Sequence, residues 1–303
     1  MLALFAPNSI DTPVITWGTL WTGGIVSPTN PVYTVKELTF HLNDYGAKAP
    51  IIHVLVLPVA NAAAENVGML EDYIILLRDH HNLDHKIRHF TSIWNTTGMT
   101  TNRPSGLEPS QTCAFIVYLS GTTGPPKGVS LILSPMLSRQ ALEREVTLLG
   151  FLALLSHIWR VMKRNLEKGS FLHANTLPGL LRLLHAPLFT GCQVLAMEKF
   201  KIKKWCAYVQ NYCIIFSYIV PPVVLLLTQH PAVNKYNFLS LQILNCNNAL
   251  LTLKLIEAVY KCIHTAIKQG YGCTEVSLTS HNQSWEDWHS MIGSDPVKAA
   301  TSE

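Results

Sequence analysis

The spacing of apolar residues changes repeatedly along the chain, from short continuous runs to a repeat of three or four. Short runs are typical of buried strands, and the longer repeat is typical of helices that bury one face. In the first part of the chain we predict strands at 1–7, 25–26, 51–55 and 73–77, and helices at 12–24, 34–42 and 60–67. Thr34 is predicted to cap its helix, because Glu37 follows three residues later as in a capping box.

The same alternation returns in the second half of the chain. We predict strands at 192–197, 214–220, 241–245 and 266–268, and helices at 203–212, from 221 onward, and at 252–262. The last helix is predicted to bury one face, made of Leu255, Ile256, Val259 and Cys262. Residues 78–106 are predicted to be an irregular surface connection, and 139–168 are helical by composition. Strands alternating with helices predict an α/β fold of layered, largely parallel sheets flanked by helices.

Composition narrows the class of protein. Hydrophobic residues make up 48% of the 303-residue chain and charged residues 14%, which describes a globular protein rather than a disordered one. The net charge of +4 is small and dispersed, so we expect no nucleic-acid partner. The apolar region 213–227 is broken by Pro221-Pro222 and is shorter than the ~20 residues of a membrane span.

The cysteines and histidines indicate neither disulfides nor a metal site. Seven scattered cysteines without a C-x-x-C pair favour a reducing compartment, with most of them buried as small hydrophobes. His80, His81 and His85 lie in a polar stretch, and a solvated loop explains them better than metal binding. We therefore expect a cytoplasmic protein. A peroxisomal location is the alternative, although the C-terminal residues are not a peroxisomal tripeptide.

One polar stretch carries most of the chemistry. It follows the apolar run 114–118, which predicts a buried strand, and it combines glycines, hydroxyl groups and a lysine. Its members are Ser120, Gly121, Thr122, Thr123, Gly124, Lys127 and Gly128. Backbone N–H groups and hydroxyls can surround phosphate oxygens, and the lysine offsets their charge. The order differs from a Walker A motif, and the alternative interpretation is an ordinary surface turn.

This stretch, Ser120-Gly-Thr-Thr-Gly-Pro-Pro-Lys-Gly128, resembles the phosphate loop of the adenylate-forming superfamily. That superfamily contains acyl- and aryl-CoA synthetases, luciferases and peptide-synthetase adenylation domains. The flanking sequence is most similar to 4-coumarate–CoA ligase-like enzymes of the fungal type. Pro7-Asn-Ser9, Trp17-Gly18 and residues 27–34 match an early segment of the same family.

Two later stretches match family sites that contact the nucleotide. Gln269-Gly-Tyr-Gly-Cys-Thr-Glu275 implies Gly270 beside the acyl group, Tyr271 near adenine, Thr274 on the α-phosphate and Glu275 on Mg²⁺. Thr274 and Glu275 are thereby the candidate catalytic residues. The stretch 245–251 stands where the family has a small-residue turn against the adenine, and it implies Ala249 as a contact.

The resemblance covers most of 1–129 and 175–294. It implies the large N-terminal domain of an adenylate-forming enzyme without its small C-terminal domain. We divide this incomplete AMP-binding domain (1–303) into a first α/β part (1–110), a phosphate-loop region (111–129), a divergent segment (130–174) and a second α/β part (175–294). The family's later residues would supply a catalytic lysine, so we expect little adenylation by this chain alone.

The implied activity is ATP-dependent ligation of a carboxylic acid to coenzyme A, through an acyl-adenylate, in secondary metabolism. ATP, Mg²⁺ and coenzyme A are the implied cofactors and co-substrates. The partner is a small aryl or fatty acid, with possible hand-over of the product to a biosynthetic enzyme. The alternative is a non-catalytic nucleotide- or partner-binding remnant of such an enzyme. The identity of the acid stays open, because the part that corresponds to the family's acyl pocket is altered or missing.

Overall fold

A computed structural model describes residues 1–77, 87–90, 108, 110–119, 125–132, 170–173, 193–197, 199–246, 249–274 and 281–282. The chain divides into two compact units, Met1–Leu137 and Ser138–Glu303. Within those ranges each unit contains one sheet, and each sheet is parallel except for one pair of strands. The predicted helix at 139–168 and the histidines at 80, 81 and 85 lie outside the described residues.

The first unit contains a seven-stranded sheet in the order β5-β4-β3-β1-β2-β6-β7. The strands are β1 (Leu2–Phe5), β2 (Val26–Thr29), β3 (Ala49–His53), β4 (Ile75–Leu77), β5 (Arg88–His89), β6 (Cys113–Leu119) and β7 (Lys127–Ile132). The helices described here are α1 (Thr12–Trp21), α2 (Val35–Asp44) and α3 (Leu57–Asn66). Only β6 and β7 pair antiparallel among these strands.

The second unit contains a six-stranded sheet in the order β13-β12-β11-β10-β8-β9. Its strands are β8 (Ser170–His173), β9 (Gln193–Ala196), β10 (Phe216–Ile219), β11 (Ile243–Cys246), β12 (Ala266–Tyr271) and β13 (His281–Asn282). Its described helices are α4 (Ile202–Asn211), α5 (Pro221–Gln229) and α6 (Leu253–Ile263). Within the described part of this sheet, the antiparallel pair is β12 with β13.

Each unit has its own apolar core between the sheet and the helices. In the first unit, Phe5 and Ile52 of the sheet are fully buried against Leu38 of α2 and alanines of α3. In the second unit, the core surrounds Trp205 of α4, whose side chain is 1% exposed. Burial of these apolar side chains is the main force that holds each sheet to its helices.

Each predicted helix is present where the structure describes the chain, although α1 ends at Trp21 rather than at residue 24 and α3 begins at Leu57 rather than at residue 60. Thr34 accepts a hydrogen bond from the Glu37 amide, and the Glu37 carboxylate accepts one from the Thr34 amide, so the capping box is present. Pro221 and Pro222 open α5, where a missing N–H costs nothing. In α6, however, Cys262 is exposed and Ile263 is buried, so the predicted apolar face was wrong by one residue.

Several strand predictions were wrong in detail. β2 continues through Pro28, which was predicted to lie in a loop. β2 pairs with β6 at Val26 and Phe115, and Pro28 lies two residues further along β2. β3 begins at Ala49 and ends at His53, and a turn of 3-10 helix occupies Val54–Val56. A similar turn, Glu71–Tyr73, replaces the predicted start of β4. β5 was missed inside the predicted irregular connection, and β8 inside the divergent segment.

Of the six cysteines in the described ranges, only Cys206 and Cys246 are buried, so the prediction that most are buried is wrong. None of the helices in those ranges has the length and apolar character needed to cross a membrane.

Candidate functional site

The predicted phosphate loop connects two paired strands of the first unit. Tyr118 of β6 lies opposite Gly128 of β7, and Leu119 lies opposite Lys127. The loop therefore leaves the carboxyl end of β6, which is the end of a parallel sheet where α/β proteins usually bind ligands. Five of its predicted residues, 120–124, lie outside the described residues. Lys127 was predicted to lie in the loop, but it is the exposed first residue of β7.

Gly128 provides space for neighbouring side chains rather than an unusual backbone conformation. Its φ is not in the left-handed region, so backbone conformation does not explain the glycine at this position. A Cβ at this position would lie 3.2 Å from Ile116 Cγ2 and 3.2 Å from Tyr118 Cζ. Such distances are tighter than ordinary carbon–carbon contact. The absence of a side chain thus lets the ring of Tyr118 lie against the first residues of β7.

A cluster of aromatic and charged residues lies behind this hairpin, and sequence reasoning missed it. The Tyr118 hydroxyl donates a hydrogen bond to Oδ2 of Asp44, the last residue of α2. The ring of His41, one turn earlier on α2, lies with its centroid 3.8 Å from that of Tyr118. Tyr33 lies on His41 from another side, at a centroid distance of 4.8 Å. No local pattern reveals this cluster, because 74 residues separate Asp44 from Tyr118.

Burial controls the charge of His41. The side chain is 0% exposed, and neither ring nitrogen has a hydrogen-bond partner within the described ranges. Burial lowers the pKa of His41 to about 4, and the nearby carboxylates of Asp44 and Glu37 only partly oppose that shift. Since an uncompensated buried charge is costly, His41 is neutral at physiological pH.

The stability of the protein is expected to fall as the pH drops from 7 toward 4. The unfolded chain binds a proton at this histidine below its ordinary pKa of about 6.5, whereas the folded chain keeps His41 neutral to about pH 4. The free energy of unfolding should lose up to about 3 kcal/mol over this range. Urea unfolding of the wild type and of His41→Gln at each pH measures the effect; the variant should lose less. Parallel curves for the two proteins would show that His41 does not contribute.

The second candidate stretch occupies the end of β12 in the other unit. Gly270 pairs with Asn282 and Tyr271 with His281, at the antiparallel edge of this sheet. The Tyr271 side chain is 73% exposed, and Thr274 is 6% exposed just after the strand. Glu275 lies outside the described residues. β12 was predicted to end at Lys268, but it continues through Tyr271.

Gln269 joins the candidate stretch 269–275 to the other candidate stretch of this unit, 245–251. The sequence did not reveal this contact. Its side-chain Oε1 accepts a hydrogen bond of 2.7 Å from the backbone N–H of Leu251. This bond holds the turn that contains exposed Ala249 beside β12. The structure thereby brings the neighbourhoods of Ala249 and Gly270 together within the second unit.

No group of three or more histidine, cysteine, aspartate or glutamate side chains within the described ranges could hold a metal ion. The predicted Mg²⁺ ligand, Glu275, falls outside those ranges, so its role stays a prediction.

Comparison with known proteins identifies the family. The family model described as AMP-binding enzyme matches residues 1–297, so the chain belongs to the AMP-binding enzyme family. The probable 4-coumarate–CoA ligase 1 of Dictyostelium discoideum is 27% identical over an alignment of 299 residues that covers 91% of this chain and 50% of that protein. The 4-coumarate–CoA ligase of Pinus taeda is 28% identical over 278 residues, covering 91% of this chain and 48% of that protein.

A solved structure supports the fold. ATP-bound MatB from Rhodopseudomonas palustris matches with a TM-score of 0.73 at 20% identity, over 94% of this chain and 52% of that chain. The predicted α/β class and the resemblance to adenylate-forming enzymes are thus confirmed. The chain spans about half the length of the relatives that it matches.

Proposed function

We propose that this chain binds ATP and takes part in the adenylation of a carboxylic acid, as the AMP-binding region of an acid–CoA ligase. The observation that carries the proposal is the hairpin of β6 and β7, which presents Lys127 where the loop 120–126 returns to the sheet. Membership of the AMP-binding family supports ATP as the nucleotide. The relatives named 4-coumarate–CoA ligase support coenzyme A as the second substrate.

Each candidate residue has a role in this proposal. Backbone and hydroxyl groups of the loop residues Ser120, Gly121, Thr122, Thr123 and Gly124 surround the phosphates. Lys127 offsets their negative charge, and Gly128 follows it in β7. In the second unit, Tyr271 stacks on the adenine beside Ala249, and Thr274 donates a hydrogen bond to the α-phosphate. Mg²⁺ is held by the Glu275 carboxylate, a ligand type that suits this ion. The exposure of Lys127 and Tyr271 supports these roles, since both side chains are open to a ligand.

The proposed chemistry has two steps. A carboxylate oxygen of the acid attacks the α-phosphorus of ATP, and the bond from that phosphorus to pyrophosphate breaks. The thiol of coenzyme A then attacks the acyl carbon and releases AMP. In the first step the protein mainly positions the reactants and stabilises charge, which Lys127, Thr274 and the ion at Glu275 supply.

We further propose an aryl acid as the substrate, with a fatty acid as the alternative, because two relatives carry 4-coumarate in their names. We propose a cytoplasmic location, with a peroxisomal one as the alternative; the scattered cysteines of the sequence support a reducing compartment. Delivery of the product to a biosynthetic enzyme completes the proposal.

Stable mimics of an acyl-adenylate test the proposal without requiring turnover. We expect 4-coumaroyl sulfamoyl adenosine to bind this chain at least about tenfold more tightly than AMP, because it joins acyl and nucleotide contacts in one molecule. A dodecanoyl mimic tests the fatty-acid alternative in the same calorimetric titration. Equal affinity for AMP and both mimics would favour a nucleotide-binding remnant. Absence of saturable binding for all three would contradict the proposed function.

A further inference from the structure

The side chain of Tyr118 connects the phosphate-loop hairpin to a helix of the first unit. Tyr118 is the second-last residue of β6, and its hydroxyl donates a hydrogen bond to the Asp44 carboxylate at the end of α2. A hydrogen bond to an ionised acceptor is stronger than one between neutral groups. The ring also packs on buried His41, so two residues of α2 fix the orientation of this tyrosine.

The same ring also contacts the strand that follows the loop. Tyr118 and Gly128 are directly opposite each other in the β6–β7 pair, and a Cβ on Gly128 would meet the tyrosine ring at 3.2 Å. Lys127, the candidate phosphate ligand, immediately precedes Gly128. The tyrosine therefore lies at the end of β6, where the loop begins, and its ring lies beside the start of β7, where the loop ends.

The backbone of β6 is held independently near this point. Ser27 of β2 donates a hydrogen bond of 2.9 Å from its Oγ to the carbonyl oxygen of Ile116. This contact fixes β6 two residues before Tyr118, so removal of the tyrosine hydroxyl should leave the strand in place. The effect of the hydroxyl is thereby confined to the last residues before the loop.

We propose that Tyr118, held by Asp44, is a positioning residue that sets the two ends of the phosphate loop for ATP. The inference rests on the proposed function of that loop. It assigns a positioning role to two residues, Tyr118 and Asp44, that are not among the predicted nucleotide contacts. The hydrogen bond orders the ends of the hairpin before the ligand arrives, and pre-ordering raises affinity because less freedom is lost on binding.

The test measures ATP affinity in MgCl₂ by calorimetry for Tyr118→Phe, Asp44→Ala and the double variant. Each single variant should bind ATP about fivefold more weakly, the effect of one lost hydrogen bond. Because both remove the same bond, the double variant should be no weaker than either single one. Asp44→Asn keeps an acceptor oxygen, so it should retain most of the wild-type affinity for ATP. Tyr33→Phe removes a hydroxyl from the same cluster but outside the hairpin, and should bind ATP like the wild type.

Amide exchange of the ligand-free proteins supplies a second measurement that needs no ATP. Tyr118→Phe and Asp44→Ala should speed exchange at Leu119 and at 127–129, while β1 and β3 stay as protected as in the wild type. Unchanged exchange at these positions would overturn the inference, as would additive losses of ATP affinity in the double variant. If the wild type binds no ATP but the exchange result holds, the positioning contact stands and the proposed function fails.

Discussion

Replacing Lys127 with alanine is expected to weaken ATP binding by about 10- to 100-fold, the effect of removing one charged hydrogen-bond donor from a phosphate. The side chain is exposed at the first position of β7, so its loss should leave the unfolding free energy almost unchanged. Calorimetric titration with ATP in MgCl₂ gives the affinity, and urea unfolding gives the stability.

Lys36→Ala is the matched control for this prediction, since Lys36 is an exposed lysine on α2 of the same unit. It should bind ATP with wild-type affinity. Equal affinities for all three proteins would remove Lys127 from the site. An equal loss in both variants would mean that general charge, rather than the position of Lys127, controls binding.

Replacing Trp205 with alanine is expected to destabilise the second unit by about 3–5 kcal/mol, because a large buried side chain would leave a cavity. Trp205 is 1% exposed, and its ring stacks on Phe238 at a centroid distance of 6.0 Å. Its Nε1 donates a hydrogen bond of 3.3 Å to the buried Oγ of Ser217 on β10. Native-state amide exchange in β10 and β11 measures the loss in this unit directly.

Trp205→Phe separates the contribution of the buried ring from that of its N–H group, and Trp21→Ala is a control on the other unit. Trp205→Phe keeps a ring but loses the N–H group, so it should cost less than the alanine variant. Trp21→Ala removes a tryptophan of the first unit whose side chain is 59% exposed, so the protection of the β10 amides from exchange should not change. A small effect of Trp205→Ala would show that the core of this unit does not depend on this side chain.

Features set by neighbouring residues could be predicted from the sequence. The capping box needs only Thr34 and Glu37, which are three residues apart, and the opening of α5 needs only its two prolines. The α/β alternation likewise follows from local apolar spacing. These predictions are confirmed because the interactions that decide them lie within one turn of helix or one strand.

Features set by pairing between distant strands could not be predicted in detail. Pro28 belongs to β2 because Leu4 of β1 pairs with it, and local preference alone places a proline in a loop. β8 belongs to its sheet because it lies between β9 and β10, although local apolar spacing did not predict a strand at Ser170–His173. On α6, the neighbouring elements bury Val259 and Ile263, four residues apart, and leave Cys262 exposed.

The candidate site shows the same division. The sequence named Lys127, Gly128, Tyr271 and Thr274 through short motifs. It did not reveal the contacts that hold those motifs, namely Asp44 on Tyr118 and Gln269 on the Leu251 amide, because each joins separate elements of the fold. The sequence also did not reveal why position 128 is a glycine. The ring that occupies the space beside it belongs to Tyr118, ten residues earlier in the chain.

The most direct test of the central proposal is a calorimetric titration of the wild-type chain with ATP in excess MgCl₂. We predict saturable binding at one site per chain, displaced by AMP and by the 4-coumaroyl adenylate mimic. Heat that does not saturate, or binding that AMP and the mimic fail to displace, would contradict the assignment of this chain as an ATP-binding region for carboxylate adenylation.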